Sequence, residues 1–166
     1  MEGLPDRVDL WRMVVQRRVF SGRILAGGLA RLRDLLAAAD DELRYVIEFG
    51  TDELGTPFAA IAIDGHLTLT CQRSLEPYRE PVAIRTRLGL IRDEREEAAL
   101  PPGYEPLLVP VDGKIDPAEL LADELLLALP LVPADPRVAP LGEPVAPPTP
   151  AAGEHPFAIL KRLGKA

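Results

Sequence analysis

At 166 residues the chain is long enough for one domain with a real core, and 47% apolar residues fit a globular protein. A formal charge of −7 excludes a uniformly basic nucleic-acid coat, and a single cysteine excludes an internal disulfide framework. The N-terminus lacks an apolar leader, and the longest apolar run, Leu125 to Pro133, is too short to cross a bilayer, so a cytoplasmic protein is expected.

In chain order, Val14 to Ile24 alternates β-branched residues with arginines and predicts a strand, broken by Gly27 and Gly28. Leu29 to Ala39 places Leu29, Leu32, Leu35 and Leu36 on one helical face and predicts a helix. Glu42 to Phe49 alternates strictly, with Leu43, Tyr45, Ile47 and Phe49 inward. Ala60 to Gln72 does the same with Ile61, Ile63, Leu67, Leu69 and Cys71. Val82 to Leu90 repeats the pattern with Val82, Ile84, Leu88 and Leu90, leaving Arg85 and Arg87 outward. Turns at Thr51 to Pro57 and Ser74 to Pro77 join these three half-buried strands into an antiparallel meander. Asp93 to Ala99 is acidic, a loop or short helix. Tyr104 to Val111 is a further strand that Pro106 and Pro110 confine to an edge.

Asp116 to Pro133 carries its own helix start and stop. Asp116 is an N-cap with Pro117 at the first helical position and Glu119 three residues after the cap, while Pro130 and Pro133 forbid continuation. Its leucines cover more than half the circumference, and Glu119, Asp123 and Glu124 form one acidic strip for water or a basic partner. Residues 134–154 are rich in proline and alanine and predict an extended linker. Residues 155–166 form a short amphipathic segment with Phe157 and Leu160 on its apolar side. The expected fold is α+β: an antiparallel sheet of three to five strands packed with two or three short helices in a single domain over 1–133, followed by the linker.

Charge is unevenly spread. Arg7 to Arg33 holds seven arginines against one acid, Arg73 to Arg92 five arginines against two acids, and Asp93 to Glu124 ten acids against two bases. An acidic protein can therefore carry a basic face. The candidate nucleic-acid contacts are Arg12, Arg17, Arg18, Arg23, Arg73, Arg79, Arg85 and Arg87, because the planar guanidinium suits phosphate and stacks on bases. Glu119, Asp123, Glu124, Phe157 and Leu160 are the candidate protein-partner contacts. Cys71 with two histidines does not make up a zinc ligand set, and Cys71 reads as a buried, inert strand cysteine. Neither serine sits in a nucleophile elbow and no phosphate loop is present. No enzyme, cofactor or metal is expected.

Four pieces, VDLWRMVVQRRVFSG from Val8, LTCQRSLEPY from Leu69, LPPGYEPL from Leu100 running on to IDPAELLADELLLALPLVP from Ile115, and HPFAILKRL from His155, are similar to the YceD family, the large ribosomal RNA subunit accumulation proteins. The family often has a C-x-x-C pair where this chain has Cys71 and Ser74. The resemblance implies a non-enzymatic factor in large-subunit biogenesis that supports 23S ribosomal RNA, contacting ribosomal RNA or a precursor particle through the arginine face. The acidic stretch supports a second reading, a chaperone-like binder of a basic large-subunit ribosomal protein.

Overall fold

The computed structural model describes residues 4–139. The linker beyond Ala139 and the segment carrying Phe157 and Leu160 lie outside them. Strands β1 (Val8–Asp9) and β7 (Lys114–Ile115) form a small antiparallel pair. The main sheet has the order β2 (Val19–Leu25), β3 (Glu42–Thr51), β4 (Pro57–Thr70), β5 (Pro77–Ile91) and β6 (Glu105–Leu108). The first four are antiparallel neighbours, as the alternating segments predict; β6 runs parallel to β5. A parallel neighbour needs a crossover, and the 3-10 turn Glu94–Ala99 with the loop to Tyr104 supplies it.

Helices α1 (Leu10–Val15) and α2 (Pro117–Ala128) and the 3-10 turns Ala26–Gly28 and Ala30–Leu35 gather on one face of the sheet. The core lies between the layers. Leu43, Ile47, Phe49, Ile61, Ile63, Leu67 and Leu69 from the sheet meet Leu10, Leu29, Leu32, Leu121 and Leu125 from the helices and turns. The start of α2 is built as the sequence predicts. Asp116 is extended and its carboxylate accepts from the Ala118 N–H at 2.8 Å, with Pro117 following.

Two expected elements differ. Val14 and Val15 belong to helix α1 instead of opening a strand. Asp9 caps this helix by accepting from the Arg12 N–H at 3.1 Å, and burial of Leu10 and Val14, one turn apart, outweighs the strand preference of the valines. Arg17, at φ +48°, then turns the chain into β2. The helix expected over Leu29 to Ala39 is a pair of 3-10 turns. Leu29 offers no side-chain acceptor to cap a helix, and Leu36 is drawn out to pair with Leu69 while the Ala37 N–H donates to the Thr68 carbonyl at 2.8 Å.

Glycine is required where Phe58 crosses the sheet. Phe58 stands between Gly50 and Gly89 in register, and a Cβ on Gly50 would lie 3.0 Å from its ring. A Cβ on Gly89 would meet the Leu100 side chain at 2.5 Å, so the crossover loop can lie down only on a bare backbone. The described start of the expected linker, 134–139, packs against the turn after β4. The Gln72 N–H donates to the Pro133 carbonyl at 2.8 Å and Arg73 Nη1 to the Val138 carbonyl at 3.1 Å.

Ile47 sits at the centre of β3 with no exposure. Ile47→Ala should lower the unfolding free energy by about 2–5 kcal/mol. Urea melts monitored by circular dichroism measure it, and a loss within error would mean that the core does not centre on β3.

Candidate functional site

Because α1, α2 and the 3-10 turns cover one face, the residues that alternate to the other face of β2–β5 stay open. They fall in rows across the strands: Val19, Glu48, Ala60 and Arg87; Ser21, Val46, Ala62 and Arg85; Arg23, Arg44, Asp64 and Ala83. Arg79, beside Thr68, continues the β5 column. The face therefore holds Arg23, Arg44, Arg79, Arg85 and Arg87 against Glu42, Glu48 and Asp64, a modest positive excess. Ala60 and Ala62 floor a shallow groove of about 310 Å³ walled by Val46, Glu48, Arg85 and Arg87.

These guanidinium groups are held to different degrees. Arg85 Nη2 donates to both carboxylate oxygens of Asp64 at 2.9 Å, and Arg23 Nη1 to Glu42 at 2.9 Å. Arg87 lies between two rings, 4.9 Å from the Phe58 centroid and 5.6 Å from that of Tyr104. The Tyr104 hydroxyl in turn donates to Asp52 at 2.8 Å. Burial pushes the Asp52 carboxyl up, but the Thr56 and Leu54 N–H groups and the Tyr104 hydroxyl together bring it below its ordinary value. Arg87 is thus a fixed positive charge on a braced aromatic platform. Arg44 and Arg79 have no carboxylate partner among the described residues.

The remaining sequence candidates lie elsewhere. Arg12 is exposed on α1, and Arg17 and Arg18 occupy the turn into β2, with Arg18 5.6 Å from the Phe20 ring. Arg73 is spent on the Val138 carbonyl. The N-terminal arginine run is therefore divided among several surfaces, with only Arg23 on the open sheet face. Charge runs in the sequence do not point to Arg44, which lies outside both basic stretches. The signal that finds it is its outward position in β3, directly opposite Arg23 in register.

The acidic strip on α2 is also divided. Glu119 is exposed and Asp123 is ion-paired with Arg31, but Glu124 is buried at 6% exposure, turned toward Thr86 on the covered face of the sheet. The expected solvated role of Glu124 is corrected: α2 is covered on more than half its circumference, and its register carries Glu124 inward with Leu120, Leu121 and Leu125. Burial raises the Glu124 pKa, and the Thr86 hydroxyl offsets this only in part.

Cys71 is fully buried, and its Sγ accepts from the Asp135 N–H at 3.3 Å. The Ser74 hydroxyl and N–H lead the groups that draw the thiol down to about 7. Trp11 carries Arg92 over its ring at 4.4 Å. Tyr78 is buried, which pushes its phenol up to about 12, so neither ring is a free base-stacking platform. His66 is exposed on β4. No group of three or more metal-ligating side chains occurs among the described residues, and no helix there is long and apolar enough to cross a membrane.

A family profile described as large ribosomal RNA subunit accumulation protein YceD matches residues 59–164. The chain is similar to the large ribosomal RNA subunit accumulation protein YceD of Haemophilus influenzae, with 30% identity over 132 residues, covering 78% of this chain and 75% of that protein. No solved structure matches it significantly.

The folded-state pKa of Glu124 lies above its unfolded value, so the native state holds this proton more tightly. The protein gains stability from it below the unfolded pKa and loses that gain as pH rises through the folded one. Glu124→Gln should therefore melt above the parent at neutral pH, and the gap should narrow as pH falls into the carboxyl range. Melting curves across pH test this; a variant that melts lower at neutral pH would show that the ionised carboxylate is needed.

Proposed function

The chain belongs to the YceD family of large ribosomal RNA subunit accumulation proteins, and on that premise we propose that it is a non-enzymatic, cytoplasmic factor in large-subunit biogenesis that supports the synthesis, processing or stability of 23S ribosomal RNA. It contacts ribosomal RNA or an early assembly particle through the open face of β2–β5. The observation that carries this reading is the exposed sheet face with five arginines against three carboxylates, on a protein whose formal charge is −7. Arg44 and Arg79 are available to phosphates. Arg23 and Arg85 are already oriented by Glu42 and Asp64, and Arg87 is held between its two rings. The alanine floor lets an extended backbone approach without steric obstruction.

Interleaved carboxylates make this face selective in geometry and weak in net charge. Duplex RNA, with its dense phosphates, would sit over Glu48 as well as the arginines. A single strand can bend so that its phosphates fall on Arg44, Arg85 and Arg87 while a base, not a phosphate, lies over Glu48, which favours a single-stranded segment.

A second reading is supported by the exposed acidic turn, where Asp93, Glu94, Glu96 and Glu97 lie together and, among the described residues, Arg95 alone forms an ion pair with them. In that reading the acidic side shields a basic large-subunit ribosomal protein until it is incorporated. An affinity capture treated with RNase separates the two: a ribosomal protein that stays bound supports the shield, and one that is released supports RNA as the bridge.

Arg44→Glu with Arg79→Glu should weaken binding to single-stranded ribosomal RNA fragments at least tenfold at low salt. Loss of two phosphate contacts should flatten the slope of log affinity against log salt by about 1.4. Fluorescence anisotropy at several salt concentrations measures both. Unchanged affinity and slope would place the RNA surface elsewhere or remove it.

A further inference from the structure

The five-stranded sheet ends in two edges that are built differently. At one, β6 is four residues long and contains Pro106, with Pro110 just beyond it, the usual protection against further pairing. At the other, β2 runs for seven residues with no proline and no lysine, paired without a bulge to β3. Which of its backbone groups face outward follows from a single bond. The Phe49 N–H donates to the Arg18 carbonyl at 2.9 Å, so even-numbered residues of β2 exchange hydrogen bonds with β3. The N–H and C=O groups of Val19, Ser21, Arg23 and Leu25 point away from the sheet, and none has a partner among the described residues. Around this row Val19 and Leu25 are 54% and 53% exposed, and Phe20 and Ile24 are only partly covered. An edge of this length, with apolar residues on each face and no proline or bulge, is a template for another strand.

We propose that the occupant is a second copy of this chain, its β2 antiparallel to this one about a two-fold axis at Gly22, which joins the two sheets into one continuous sheet. The register follows from the edge itself. Only odd-numbered residues present bonding groups, so a two-fold axis can sit at Ser21, Gly22 or Arg23. An axis at Arg23 sets Ser21 against Leu25 and leaves Val19 beyond the end of the other strand. An axis at Ser21 sets Val19 against Arg23 and leaves Leu25 beyond the end of the other strand. An axis at Gly22 pairs Val19 with Leu25 and Ser21 with Arg23, satisfies all four outward residues on each strand, and lays Phe20 against Ile24 on the other face. Glycine at the axis lets the two backbones meet at the closest point. The Arg23 charge is already answered by Glu42 at 2.9 Å in its own chain, so the two copies of Arg23 do not oppose assembly. A hollow of about 420 Å³, lined by Pro5, Val8, Arg12, Met13, Arg18 and Phe20, lies at the Phe20 end of this edge, where the pairing sets Ile24 of the second copy.

This pairing does not depend on RNA binding, and its test uses none. Sedimentation equilibrium of the full chain over a concentration series should give a monomer–dimer equilibrium. Ser21→Pro removes an outward N–H and leaves the β2–β3 bonds in place, so it should give a folded monomer with an unchanged far-ultraviolet circular dichroism spectrum. If that variant fails to fold, Val19→Lys with Leu25→Lys puts charge on the edge and should have the same effect. Mixing Ser21→Cys and Arg23→Cys proteins with a short thiol cross-linker should give the mixed dimer in preference to either like pair, native Cys71 being buried. A monomer at every concentration overturns the proposal, as does a dimer that survives both edge variants or a preference for like pairs. Slow hydrogen exchange at Val19, Ser21, Arg23 and Leu25 in a monomer also overturns it, because another segment of the chain would then hold the edge.

Discussion

Strands β3, β4 and β5, of 10, 14 and 15 residues, offer two broad faces, and the described residues have helices of only 6 and 12 residues to cover them. That shortage of cover governs the rest of the structure. Both helices and the 3-10 turns are spent on one face, where leucine, isoleucine and phenylalanine can be taken out of water. The opposite face must stay wet, so it carries arginine, glutamate, aspartate and alanine at the alternating positions. A sheet covered on one side is also left with two edges, one shortened and proline-bearing, the other bare.

The same economy decides which charges are available. Arginines adjacent in the chain are sent to different surfaces by the period of the element that carries them. Arg31 pairs with Asp123, Arg33 Nε donates to the Gly27 carbonyl at 3.0 Å, and Arg23 alone of its run reaches the open face of the sheet. Conversely, arginines distant in sequence are made neighbours: Arg23 and Arg44 face each other across β2 and β3, and Arg85 reaches over β4 to Asp64. The exposed pairs contribute little stability individually. Their effect is orientation, since a guanidinium held by one carboxylate keeps a fixed outward direction for its remaining N–H groups.

Arg87 is held differently, by packing. Phe58 fits its ring beside two glycines, Tyr104 arrives on the crossover loop, and the Tyr104 hydroxyl is tied to Asp52 in the turn before β4. The residues involved come from β3, β4, β5, the crossover and the turn, spread from Gly50 to Tyr104, so no short motif announces the arrangement.

Period-two alternation in Glu42 to Phe49, Ala60 to Gln72 and Val82 to Leu90 determined, without any tertiary information, the meander, its inward residues and the outward placement of Arg85 and Arg87. The Asp116–Pro117 start and the Pro130 stop likewise determined α2. These features are local: side-chain alternation and capping bonds act within a few residues. What lies beyond that range was left to the tertiary structure. Helix α1 exists because Leu10 and Val14 find a sheet to pack on; the 3-10 turns exist because Leu69 captures Leu36; Glu124 is buried because α2 is covered on more sides than its acidic strip allows for. The free edge of β2, the parallel course of β6 and the company Arg44 keeps depend on strand order, which is set by the energy of joining distant segments around one core and is written in no single stretch of the chain.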